Sequence, residues 1–160
     1  MGTINTFEDL EIWKLARLLC KDVFLITNHD FFSKDFGLKN QINNSSGSVM
    51  DNIAEGFDRD GTKKFIQFLS IAKASCGECR SQLYRAVDRA YITNNEFEDS
   101  SKRTIDLGRK ISNLMDYLRK PTSVATNTNL LNPNNNNYIN PFNFSNPLNF
   151  FNSSNPSNPF

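Results

Sequence analysis

No proline occurs in the first 120 residues, and their apolar residues return every three or four positions. Long runs at that spacing place one apolar face along a helix, whereas a half-buried strand needs a period of two. The longest run carries Phe65, Leu69, Ala72, Cys76, Cys79, Leu83, Ala86 and Ala90 on one row. No segment alternates apolar and polar residues over strand length. The predicted fold class is all-α.

Three more segments follow the same rule. "TFED" opens the first, with Thr6 capping free amides and Asp9 reaching back in a short capping box. Leu10, Trp13, Ala16, Cys20 and Phe24 recur at the spacing of one helix face, and Ile12, Leu15, Leu19, Val23 and Ile26 form a second row beside it, a stripe wide enough to need a bundle. Trp13 and the second row offer surplus apolar area for contacts between protomers. After the turn residues "TNHDFFSKDFG", the second segment places Leu38, Ile42, Ser45, Val49 and Ile53 inward. Its centre, "NNSSGSV", is built of small residues. Gly47 there costs about 1 kcal/mol relative to alanine, which predicts close approach of a neighbouring backbone. Gly56 fits the left-handed position just past a last helical turn, and "DRDGT" is the connection. Thr93 and Glu96 make a second capping box for the fourth segment, with Phe97, Ser101, Ile105, Gly108, Ile111, Met115 and Leu118 inward. Arg119 and Lys120 suit the negative end of its dipole, and Pro121 stops it. Four helices on short turns predict an antiparallel up-down four-helix bundle.

Charge sets the boundary of the folding unit. All 18 Lys and Arg and all 17 Asp and Glu lie at or before Lys120. Residues 121–160 hold no charge, no glycine and all six prolines in an asparagine-rich background dotted with Phe and Tyr. The folding unit is therefore 5–120, and 121–160 reads as a low-complexity, disordered Asn/Pro-rich C-terminal tail. "NPF" stands at residues 140–142 and again at the C-terminus, a short match that such a composition produces easily. A net charge of +1 gives no electrostatic pull toward nucleic acid by itself. No apolar run reaches the ~18 residues that span a bilayer, and the acidic N-terminus lacks the basic-then-apolar order of a secretory signal. Three cysteines make no disulfide framework, so a reducing cytoplasm is the expected setting.

Chemistry is sparse. Asp51 and Glu55 share one helix face and cannot oppose each other across a substrate as an acid–base pair must. A di-iron bundle needs paired Glu-x-x-His motifs, but the single histidine, His29, sits in a turn. Cys76 and Cys79 have C-x-x-C spacing without a second pair for zinc, and both fall on an apolar row, where thiols act as small core residues. No Walker loop, dinucleotide glycine fingerprint or Ser-His-Asp set is present. The expectation is a protein without catalytic residues, cofactor or metal.

The order "FEDLEIWKLA … FGLKNQI … SVMDNIAEGF … FIQFLSIAKAS", with Glu78 beyond it, resembles the four-helix-bundle family of 23S rRNA-intervening-sequence proteins, which includes the accessory variability proteins of diversity-generating retroelements. The likeness spans about residues 6–118. Its most specific piece is Asn52-Ile53-Ala54-Glu55-Gly56, preceded by Gly37-Leu38 and Gln41-Ile42. The resemblance implies a ring-like homo-pentamer with no established enzymatic activity. For the retroelement branch it also implies binding to a reverse transcriptase and to RNA or DNA through basic surfaces. This chain has Asn43 and Asn44 where the family commonly carries basic residues, and each missing cation removes one potential phosphate contact. It also has Met50-Asp51 where a proline is frequent.

On this reading Gly47, Asn52, Ile53, Ala54, Glu55, Gly56 and Glu78 form a packing joint, with Asn52 and Glu55 hydrogen-bonding across helices or between protomers. Arg85 and Arg89 on the third helix, and Lys102, Arg103, Arg109 and Lys110 on the fourth, are the candidate nucleic-acid contacts. The expected function is a cytoplasmic, non-enzymatic, self-assembling accessory or scaffold protein. The alternative is a nucleic-acid-binding subunit working with a reverse transcriptase or linked to a 23S rRNA insertion.

Overall fold

The computed structural model describes residues 4–120, so the reading of 121–160 as a disordered tail lies outside the described residues. Four helices follow in order: α1 (Glu11–Ile26), α2 (Phe36–Asp58), α3 (Thr62–Asp88) and α4 (Asn94–Arg119). Single 3₁₀ turns, Phe7–Asp9 and Phe32–Lys34, precede α1 and α2. At 27 residues, α3 is about 40 Å long.

Contacts between neighbouring helices show that each pair runs antiparallel. Residues 41, 45 and 48 of α2 meet 85, 82 and 75 of α3. Glu11 and Asp22 of α1 meet Lys110 and Arg103 of α4. The packed pairs are α1 with α2, α2 with α3, α3 with α4, and α4 back with α1. That closes an up-down bundle around one core, as the spacing predicts.

The inward rows of α2 and α3 are the expected ones. Leu38, Ile42, Val49 and Ile53 are buried, as are Phe65, Leu69, Ala72, Cys76, Cys79, Leu83 and Ala86. The rows of α1 and α4 are rotated from expectation. On α1 the second row is the core: Ile12, Leu19, Val23 and Ile26 are buried with Ala16, while Phe24 is 58% exposed. The face enclosed by α2 and α4 together lies between the two apolar rows, and it favours the aliphatic one. On α4 the inner face is Ser100, Ser101, Thr104, Leu107, Ile111 and Met115, with Ile105 turned out. Small hydroxyl residues can be buried there because their donors find local acceptors; Thr104 Oγ1 donates to the Ser101 carbonyl at 2.6 Å.

The ends are set by capping chemistry. The Asp9 carboxylate accepts from the backbone N–H of Asn5 (2.9 Å) and Thr6 (3.1 Å), although it caps the 3₁₀ turn ahead of α1. Asp35 caps α2 by accepting from Leu38 N–H at 3.0 Å. The Thr93–Glu96 capping box opens α4 as expected. Two glycine expectations are corrected. Gly56 lies inside α2, which continues to Asp58, and it is buried against α3 rather than left-handed. Ala90 does not continue the α3 row: it has φ 55° just past the helix end, with Tyr91 N–H bonded to the Ala86 carbonyl.

Candidate functional site

The α2–α3 seam is polar at its centre. Ser45 Oγ donates to Gln82 Oε1 at 2.6 Å. Two turns on, Asn52 Nδ2 donates to the Ser48 carbonyl (2.7 Å) and to Ser48 Oγ (3.0 Å). Ser48 and Ser75 hydroxyls lie 2.9 Å apart, and Ser75 gives its proton to the Ile71 carbonyl at 3.0 Å. Ser48 is then the donor of the pair. The chain Asn52→Ser48→Ser75→Ile71 leaves no donor idle and ties two helices at one register. Asn52 itself bonds within α2, not across helices as expected, and the link to α3 is made by Ser48.

The other members of the predicted joint divide. Ile53 is fully buried, and Ala54 is half-buried. Glu55 does not cross to another helix within the protomer; it pairs with Arg59 one turn along α2, both side chains about half exposed. Its carboxylate is more easily solvated than buried, and an i,i+4 arginine suffices there. Glu78 is exposed on α3. Gly56 is the true contact: a Cβ there would stand 2.6 Å from Phe68 Cβ. Among the described residues no atom outside its own helical turn lies within 4 Å of a Cβ built on Gly47. The expected neighbouring backbone is therefore not found among the described residues, because α2 turns serines 45 and 46, not Gly47, inward.

The interior thiols are chemically quiet. Burial pushes Cys76 and Cys79 up to about 12. Burial also raises Cys20, whose Sγ donates to the Ser46 carbonyl at 3.0 Å. Nucleophilic chemistry needs the thiolate, and a core thiol is seldom one. Among the described residues no group of three or more His, Cys, Asp and Glu side chains is arranged to hold a metal ion, and no helix is long and apolar enough to cross a membrane.

Most of the candidate cations have acidic or amide partners in the same chain. Arg85 donates to Gln41 Oε1 (2.7 Å), and Arg89 is paired with Asp35, tying α3 to the start of α2. Arg103 stands 3.2 Å from Asp22, Arg109 3.1 Å from Asp106, and Lys110 2.7 Å from Glu11. Lys102 is exposed on α4. The six do not converge on one surface: Arg85 and Arg89 face α2, whereas Arg103 and Lys110 face α1.

A depression lies elsewhere, between α3 and α4. It has a volume of about 330 Å³ and is lined by Lys73, Gly77 and Arg80 from one helix and Ile105, Gly108, Arg109 and Ser112 from the other. Sequence reading missed Lys73 and Arg80, whose i, i+7 spacing on α3 was the available signal.

Comparison with known proteins agrees with this architecture. The family model described as "23S rRNA-intervening sequence protein" matches residues 8–113. A crystal structure of a protein of unknown function from the S23 ribosomal protein family of Bacteroides thetaiotaomicron superposes with a TM-score of 0.60 at 21% identity, covering 65% of this chain and 97% of the other. At that identity the likeness speaks for the fold. No curated protein matches the chain.

Proposed function

Because the chain belongs to the 23S rRNA-intervening sequence protein family, we propose that it is a cytoplasmic, non-enzymatic accessory or scaffold protein that works as a self-assembled homo-pentamer. The observation that supports this reading is apolar surface left uncovered by the bundle. Phe31, in the α1–α2 connection, and Phe36, the first residue of α2, are 73% and 72% exposed, and Phe24 and Leu25 in the last turn of α1 are 58% and 55% exposed. Apolar clusters rimmed by polar residues mark interaction surfaces more often than idle ones. The test is mass in solution: light scattering at micromolar concentration should give about five times the 18.3 kDa chain mass, and Phe31→Asp with Phe36→Asp should lower it. A wild-type mass at the monomer value sinks the proposal.

Contact with RNA or DNA, alongside a reverse transcriptase or in an assembly tied to a 23S rRNA insertion, is the second reading. It is supported by the exposure of the α4 cations. The Arg103 and Arg109 side chains remain 54% and 69% exposed although paired. Surface pairs of this kind are worth about 0–1 kcal/mol, so exchanging a carboxylate for a phosphate costs little. Binding to structured RNA should weaken steeply as salt rises. Absence of binding at low salt removes this reading.

A further inference from the structure

The α3–α4 groove has no part in self-assembly through the exposed phenylalanines, yet its composition is selective. All of its charged lining residues, Lys73, Arg80 and Arg109, are cations. Lys73, Gly77 and Arg80 fall at i, i+4 and i+7, a single stripe of α3, and Arg109 faces them from α4. Lys73 Nζ already donates to the Ser112 hydroxyl at 3.1 Å, spanning the two helices. Arg109 is held by Asp106 on its own helix at 3.1 Å, which orients the guanidinium and leaves it largely exposed.

Two glycines open the floor. Among the described residues a Cβ on Gly77 would meet no atom within 4 Å, and one on Gly108 would make only an ordinary contact, 3.9 Å from Cys76 Cβ. Neither is required by packing within the protomer. Glycine inside a helix is nonetheless less stable than alanine, so the open floor is kept against helix propensity. Ile105, 47% exposed, adds an apolar wall. A volume of about 330 Å³ lies at the small end for small-molecule sites.

We propose that this groove binds a small phosphomonoester, its phosphate held by Lys73 and Arg80 with Arg109 opposite and its organic part resting on Ile105 over the Gly77–Gly108 floor. A phosphomonoester carries close to two charges at neutral pH, and guanidinium and ammonium donors supply the charge-assisted hydrogen bonds it prefers.

The test is an amide-resolved NMR titration of the full-length protein with adenosine 5′-monophosphate, alongside inorganic phosphate, adenosine, and a short oligoadenylate with a 5′-hydroxyl. The monophosphate should shift the signals of residues 73–80 and 104–109 saturably, phosphate should shift the same signals more weakly, and adenosine should not. Lys73→Ala with Arg80→Ala should weaken binding by roughly tenfold or more, whereas Lys63→Ala, at the exposed start of α3, should not change it. Gly77→Leu should block the groove while leaving the melting temperature unchanged or raised; if that variant misfolds, the Lys73/Arg80 pair decides. Non-saturating shifts, an equal response in the double variant, or equal binding of adenosine would overturn the proposal. Preference for the 5′-hydroxyl oligonucleotide would also overturn it, and would assign the groove to a nucleic-acid backbone.

Discussion

The Cβ that Gly56 lacks would stand 2.6 Å from the Cβ of Phe68, and 3.0 Å from the ring of Phe65. Helices α2 and α3 meet here at a distance only a glycine permits. An alanine in a helix interior is ordinarily favoured over glycine by about 1 kcal/mol. Here the added methyl must displace two phenylalanines, and overpacking costs about 1–3 kcal/mol. Gly56→Ala should therefore lower the unfolding free energy, as read by chemical denaturation. A stabilised variant would show that the helices separate freely at this point.

Gly47 predicts the opposite sign. With nothing within 4 Å of a built Cβ, Gly47→Ala should stabilise the protomer by about 0.5–1 kcal/mol through helix propensity and reduced freedom of the unfolded chain. Light scattering on the same variant separates two roles for the open position. An unchanged mass leaves Gly47 as a solvent-facing residue, and a reduced mass places it in a contact between protomers.

The Asn52–Ser48–Ser75 chain predicts coupling rather than large single effects. Ser48→Ala and Ser75→Ala should each cost about 1 kcal/mol, since each leaves a partly buried partner short of one hydrogen bond. The double variant should cost less than the sum by about 0.5–1.5 kcal/mol. Strict additivity in the cycle would mean the two hydroxyls do not share a bond in solution.

How far the sequence disclosed this protein depends on what each residue faces. Helix α3 was legible throughout because its row is long and nearly all its members point one way into the core. Helix α1 was not, because it offers two apolar rows and only tertiary packing chooses between them. Glycines were the least legible: Gly47 and Gly56 both sit inside α2, and only the position of α3 separates an open one from a crowded one. The cations were visible as residues, but their partners, such as Asp22 for Arg103 and Glu11 for Lys110, are about 80 to 100 positions away and belong to the antiparallel register. Lys73 and Arg80 give no sign of a groove in the sequence, because one helix alone does not form one.

The caps predict the acid side of the stability profile. Asp35 is held below its ordinary 3.8 by the Leu38 N–H and by Arg89, and Glu96 below 4.5 by the Thr93 N–H and hydroxyl, in each case against desolvation. A carboxyl whose folded pKa is depressed contributes stability that is present above its unfolded value and lost as pH falls through the folded one. The unfolding free energy should therefore decline from about pH 5 toward about pH 3. Asp35→Asn combined with Glu96→Gln should flatten that slope, and an unaltered slope would place the titrating groups elsewhere.

Adjacent phenylalanines in the α1–α2 connection give the sharpest contrast. Phe32 is wholly buried, its ring stacked on Tyr91 with centroids 5.3 Å apart, while Phe31 is 73% exposed. The 3₁₀ turn Phe32–Lys34 folds the connection inward so that Phe32 closes the core between α2 and the α3–α4 turn. "HDFFSK" by itself does not say which of the two rings turns in. Phe32→Ala empties that volume and should cost about 3–5 kcal/mol, a large share of the stability typical of a domain this size. Phe31→Ala should leave protomer stability within about 0.5 kcal/mol. Equal losses for the two variants in urea titrations, run at concentrations low enough to keep the chain monomeric, would mean that the connection does not plug the bundle.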